Sequence, residues 1–263
     1  MASSPETKLS KGTQASEDYQ LAMRLTSREE WDTNSELEAD GAQRNPYAAW
    51  EWGMALRASA NGSGTGQGQG QLQLQEAAEK HILASEAFKE IGDRARSTIS
   101  KLDAGIDLAG IVDSSSSNSN SNSNSNSKFD ETVKLLKEGI KSTTLVEGRD
   151  VELLQRVIAK EGEARIALAS LLWSHGDKAA AEAELGEACG RLDQLQADAD
   201  VREKARIKSG AMPAVKVQKL KYTIDDTAGV ESSFSRFKSE KFLDSLSWPK
   251  SLQEKVTKLS KLA

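Results

Sequence analysis

Residues 162–195 read GEARIALASLLWSHGDKAAAEAELGEACGRLDQL, a pattern that two helices joined by a tight turn accommodate and a sheet does not. Ile166, Leu168, Leu171, Leu172 and Trp173 give the first helix an apolar face. Ala180, Ala181, Leu185, Ala188 and Leu192 recur at three- and four-residue spacing on the second, and residues so spaced share a helix face. Ser174-His175-Gly176-Asp177 interrupts both patterns and turns the chain. Ala169, Ala181 and Ala188 carry almost no side chain, so the two helices can approach closely there.

The same design recurs upstream. Asn45-Pro46 opens a helix, with Pro46 suited to its first turn, and Tyr47, Trp50, Trp52, Met54 and Leu56 follow among the small residues Ala49, Gly53 and Ala55. A Gly- and Gln-rich tract interrupts the expected turn, after which Glu76-Ala77-Ala78, His81, Ala84 and Ala87-Phe88 resume a helix that ends near Ile91-Gly92-Asp93. Ile99, Leu102, Ala104, Gly105, Ile106 and Leu108 make the next helix. A Ser/Asn tract again stretches the turn, and Phe129, Val133, Leu136, Gly139 and Ile140 continue beyond it. A packed segment could not absorb a dozen polar residues, so both tracts are expected in solvent-exposed turns, at 59–75 and 113–128.

These hairpins resemble tetratricopeptide repeats (TPR), helix-turn-helix units of about 34 residues. Leu168-Ala169 stands where the motif has its Leu-Gly pair, Leu172 takes its aromatic place, and Gly176-Asp177 fits its turn. Ala181, Leu185 and Ala188 fall where the second helix has Ala, an aromatic and Ala; Trp52-Gly53 and Leu56 match the first-helix pattern. The resemblance covers roughly 45–197. It implies an all-α fold: a right-handed α-solenoid of about three TPR-like helical hairpins, closed by a mainly helical C-terminal cap.

The rest of the chain divides around that core. Residues 1–44 are polar, with one short helix expected over 17–31. Residues 198–263 form a basic, aromatic-containing capping region; residues 201–263 carry net charge +7, against −12 for residues 1–200. Within it, Arg202 to Lys208 reads as a basic helical turn, and Val215 to Ile224 alternates as a short strand or a helix. Phe234 to Leu246 suggests another helix, and Leu252, Val256, Leu259 and Leu262 form one apolar stripe after Trp248-Pro249.

Composition narrows the chemistry. Only 37% of the 263 residues are hydrophobic and 5% aromatic, which alanine-rich helix packing tolerates better than a β-sandwich does. The single cysteine, Cys189, allows no internal disulfide, so a soluble intracellular (cytoplasmic) setting is the default, with the plastid open if a transit peptide has been removed. No run of 18 apolar residues spans a membrane. His81 is expected to fill an aromatic packing place, and His175 to sit solvated at a turn. Two histidines and one cysteine make no zinc cluster, and no Gly-x-Ser-x-Gly elbow or phosphate-binding loop occurs. Neither catalytic residues nor a cofactor or metal site is expected, and the chain reads as a non-enzyme.

Function is then expected from surfaces. The resemblance implies a groove lined by the first helices, where the family typically binds peptides: Trp50, Met54, Leu102, Ile106, Ile166 and Trp173, with Arg57 as the charged exception. A carboxylate clamp of Lys, Asn and Arg, known from one subset of the family, has no counterpart here. An apolar groove suits an amphipathic helix of a protein partner, or the chain's own terminal helices. The leading reading is a protein-binding adaptor or assembly factor. The second is a permanent structural subunit of a larger complex. Trp50-Glu51-Trp52-Gly53-Met54 and Ser247-Trp248-Pro249 resemble strings in algal plastid repeat proteins that help photosystem complexes, which would make that complex a photosynthetic one. The third and weakest is nucleic-acid binding through the basic C-terminal region.

Overall fold

A computed structural model describes residues 45–61, 67–112, 123–147, 151–208 and 237–260. Among them the fold is all-α: eight α-helices and no strand. We number them α1 (Pro46–Ala60), α2 (Gln67–Glu90), α3 (Arg94–Ile111), α4 (Ser123–Thr143), α5 (Val151–His175), α6 (Lys178–Lys208), α7 (Glu240–Ser245) and α8 (Lys250–Ser260).

The helix ends follow local chemistry. Asn45 caps α1, its Oδ1 accepting from the Ala48 amide at 3.2 Å, and Pro46 occupies the first turn, where no amide is needed. The α2–α3 and α5–α6 connections are one motif used twice. Gly92 and Gly176 take φ of +80° and +98°, and the next amide, of Asp93 or Asp177, returns to the carbonyl of Phe88 at 2.8 Å or Leu172 at 3.0 Å. The same aspartates then cap the following helices, accepting from Arg96 N and Ala180 N at 3.0 and 3.2 Å.

Each of α1 to α6 packs on its sequence neighbours, and α3 also packs on α5. The α3–α4 contact is an interlock of glycines with leucines. A Cβ on Gly105 would lie 2.5 Å from Leu136 Cδ2, and one on Gly139 would lie 2.6 Å from Leu102 Cδ2, so each backbone receives the other helix's leucine. Ala169, Ala181 and Ala188 are fully buried, as the close approach of α5 and α6 requires. Helix α8 lies on α5 and α3. Its Leu252 and Val256, with Phe237, Leu243, Leu246 and Trp248, join the largest apolar core together with Leu102, Ile106 and Ile166.

Several boundaries differ from those expected. Helix covers Gln67–Gln75 and Ser123–Lys128, so the stretched turns are shorter than 59–75 and 113–128. Leu74 and Phe129 within these helices are buried, which favours helix on either side of them. The boundary placed at 197/198 falls inside α6, one helix from Lys178 to Lys208. The short helix over 17–31 and the strand or helix over 215–224 lie outside the described residues.

Candidate functional site

Two sets of contacts stand out, and they share a residue. The first is a buried polar core. On α3, Asp103 and Asp107 are one helical turn apart and point inward beside Leu102 and Ile106. Arg57 of α1, 0% exposed, joins both: its guanidinium donates to Asp107 Oδ1 through Nε, to Asp103 Oδ1 at 3.0 Å, and to the Asp103 carbonyl at 2.7 Å. His81 Nδ1 of α2 donates to Asp107 Oδ2 at 2.7 Å, and the indole Nε1 of Trp50 donates to Asp103 Oδ2 at 3.1 Å. Lys160 of α5 bridges Asp103 at 3.1 Å and Glu163 at 2.8 Å. The indole of Trp248, just before α8, donates to Glu163 Oε2 at 3.3 Å. This chain of contacts links α1, α2, α3 and α5 to Trp248 of the cap.

Electrostatics holds Arg57, Asp103 and Lys160 ionised. Burial alone would lower the Arg57 pKa, but Asp107 and Asp103 raise it above its ordinary value. Burial would push Asp103 up, yet Lys160, Arg57 and His81 pull it far below the usual carboxylate range, with the Trp50 indole adding a hydrogen bond. Lys160 is raised in turn: Asp103 and Glu163 outweigh the desolvation that would lower it. His81 Nε2 has no hydrogen-bond partner, because it faces the backbone of Gly53, where a Cβ would lie 2.6 Å away. The histidine does fill a packing place, as expected, and also holds an aspartate.

The second set is the seat of the cap. Asn61, at the end of α1, donates to the carbonyls of Ser247 and Trp248 at 3.3 and 3.0 Å and accepts from Lys250 N at 3.2 Å. At the end of α3, Gly110 O accepts from Ser251 Oγ, and Lys255 Nζ donates to the carbonyls of Ala109, at 2.9 Å, and Val112, at 2.5 Å. The cap thus donates to carbonyls at the C-terminal end of α3.

The groove residues inferred from sequence separate on this structure. Leu102, Ile106 and Ile166 come together, but fully buried under the cap, and Trp173 packs at the edge of the same core. Arg57 is not a groove-lining charge; it is sealed in the polar core because two aspartates demand it there. Trp50 is half-buried between two smaller clusters, and Met54 is half-buried with its sulfur 3.7 Å from the Arg57 guanidinium. His175 is exposed, as expected at a turn, and stacks on Phe129 with ring centroids 3.9 Å apart. Cys189 is half-buried.

Among the described residues no cluster of three or more His, Cys, Asp or Glu is placed to hold a metal ion, and no helix is long and apolar enough to cross a membrane. A cavity of about 170 Å³ between α2, α3 and α4 is smaller than the roughly 300–1,000 Å³ of small-molecule sites. Sequence reasoning missed Asp103, Asp107, Lys160 and Glu163. The signal was present: Asp103 and Asp107 sit four apart within an apolar helix face, where a charge survives only with a partner. No family model matches this chain, and neither the curated proteins nor the solved structures contain a match to it.

Proposed function

We propose that this protein is a non-enzymatic adaptor or assembly factor that binds another protein through a TPR-like groove on a right-handed α-solenoid. One observation carries the reading. An amphipathic helix, α8, already lies on α3 and α5, with Leu252 and Val256 buried against Ile106 and Ile166 in one core. That surface takes the kind of ligand expected of a groove lined by first helices. The packing of each helix on its neighbours, with α3 also on α5, fits a stack of hairpins in which alternate helices share one side. Of the groove residues, Trp50, Met54 and Trp173 are half-buried, and Trp50 and Met54 on α1 are the part proposed to meet a partner.

The test is purification of the full chain from native extract after mild crosslinking, followed by mass spectrometry. A recurrent partner whose recovery falls with Met54→Glu is the expected result. A chain that elutes as free monomer and retains no recurrent partner would overturn the proposal.

A second reading, a permanent structural subunit, is favoured by the exposed apolar residues Tyr47, Ile91 and Leu145. Tyr47 packs edge-on against Phe88 near the end of α2, and Val146, next to Leu145, packs with Ile99 near the start of α3. The three therefore lie toward one end of the helices, where a larger assembly would cover them. In that case the chain elutes only within a complex and never as a monomer.

A further inference from the structure

Helices α2 and α4 both pack on α3, and the cavity lies between them. Its floor is apolar: Leu108, Ile111 and Val112 of α3 and Ile82 of α2 are only half-buried there. Its volume of about 170 Å³ is too small for a cofactor, yet close to the roughly 150 Å³ that accommodates one benzene ring. One large apolar side chain fits.

The rim is charged. Glu79 comes from α2, and Glu131 and Lys128 come from α4; all three are exposed. Two carboxylates against one amine leave the rim with net charge −1. Gln75 Nε2 donates to Glu79 Oε1 at 3.2 Å and steadies that carboxylate. Among the described residues neither Glu131 nor Lys128 has an ion-pair partner. Thr132 Oγ1 donates to the Lys128 carbonyl at 2.8 Å, so the wall already satisfies its own hydroxyl. Leu72, 73% exposed, shares the α2 face of Gln75, Glu79 and Ile82, and extends the apolar surface past the mouth.

We propose that this cavity is the anchor pocket for a basic polypeptide partner, which inserts one Phe- or Leu-sized side chain and pairs adjoining Lys or Arg side chains with Glu79 and Glu131. This rests on the protein-binding reading above and adds a second point of contact with its chemistry stated. Volume selects the single anchor, the mode in which protein interfaces concentrate their energy. Charge complementarity selects the cations, because an acidic segment would meet two carboxylates and one amine. The exposed Leu72 selects a polypeptide over a free small amine, since a neighbouring side chain can cover it while the anchor is seated.

The experiment follows the isoleucine and leucine methyl signals of the full chain by NMR during titration with phenethylamine, a Phe-like side chain carrying an ammonium. Saturable shifts at Ile82, Leu108 and Ile111 are expected. Phenylpropionate, of similar bulk and opposite charge, should bind at least about threefold more weakly, as exposed ion pairs allow. The double variant Glu79→Gln with Glu131→Gln, both at exposed positions, should abolish that difference. An end-blocked Lys-Phe-Lys tripeptide should move the same methyls and that of Leu72. No saturable shift at the three floor residues, or equal binding of the amine and the acid by the unaltered chain, overturns the proposal. Binding of phenethylamine without binding of the tripeptide also overturns it, and would make the cavity a site for a free small amine. Should the tripeptide fail while a partner is still recovered from extract through Met54, only this pocket is lost and the protein-binding reading stands.

Discussion

Replacing Arg57 tests whether the polar core holds the first hairpin to the rest of the molecule. Arg57→Met keeps length and apolar bulk but removes three donated hydrogen bonds, two of them to carboxylates with at most 1% exposure. The aspartates are not abandoned: Asp103 keeps Lys160 and Trp50, and Asp107 keeps His81. Removing one partner of a buried pair costs about 3–5 kcal/mol, largely because the remaining charge stays desolvated. At roughly 2–4 °C per kcal/mol for a chain of this size, the melting temperature should fall by about 6–20 °C. Urea denaturation followed by circular dichroism at neutral pH measures the cost directly. The double variant Arg57→Met with Asp107→Asn should cost less than the sum of the two single variants, by about 1 kcal/mol or more, since the second change removes a buried charge that the first left without its guanidinium. A single-variant cost under about 1 kcal/mol, or strict additivity, would refute the reasoning and reduce the cluster to a tolerated burden.

Four further outcomes follow from the contacts described. Asp103 is more acidic in the folded state than unfolded, so its contribution is full above the ordinary carboxylate range and is lost as pH falls through the folded value; acid titration of stability should show a shallower decline for Asp103→Asn than for the unaltered chain. Ala181→Leu should destabilise by about 1–3 kcal/mol, because the side chain has no space between α5 and α6, and an unchanged denaturation midpoint would contradict that packing. Trp50→Ala should lower the melting temperature, since the indole both packs between clusters and donates to Asp103; an unchanged melt would assign this residue to partner binding alone. Deleting residues 115–121 should leave the melt within a few degrees, because loop-closure free energy changes by only about 0.6 kcal/mol per doubling of length.

What could be read from the sequence was what depends on near neighbours. Gly92-Asp93 and Gly176-Asp177 announce turns because the glycine takes positive φ and the aspartate caps the next helix, both within a few residues. Ala181 and Ala188 reveal a close approach because nothing larger fits at that spacing. The starts of α2 and α4 were hidden, because Gln-Gly and Ser-Asn repeats have no helical signal of their own, and the buried Leu74 and Phe129 lie further along each helix. The site was hidden for a stronger reason. Arg57 reaches its aspartates across 46 and 50 residues, and Trp248 reaches Glu163 across 85. Spacing along one helix marks Asp103 and Asp107 as inward-facing, but it does not say which cation will meet them.

The cap has a consequence for how this gene is free to change. Asn61 and the Ala109–Val112 carbonyls, the two places the cap fastens, are the helix ends from which the two low-complexity tracts depart. Elsewhere a helix end depends on the residues that follow it, and a slipped codon repeat there would unwind the last turn. Here Ser251 and Lys255, from a distant part of the chain, donate to the carbonyls at the end of α3, while Asn61 at the end of α1 holds the start of α8. A change of length after α3 is therefore expected to leave that helix end fastened through Ser251 and Lys255, whereas the Gly-Asp turns cap themselves and lose that geometry with any insertion.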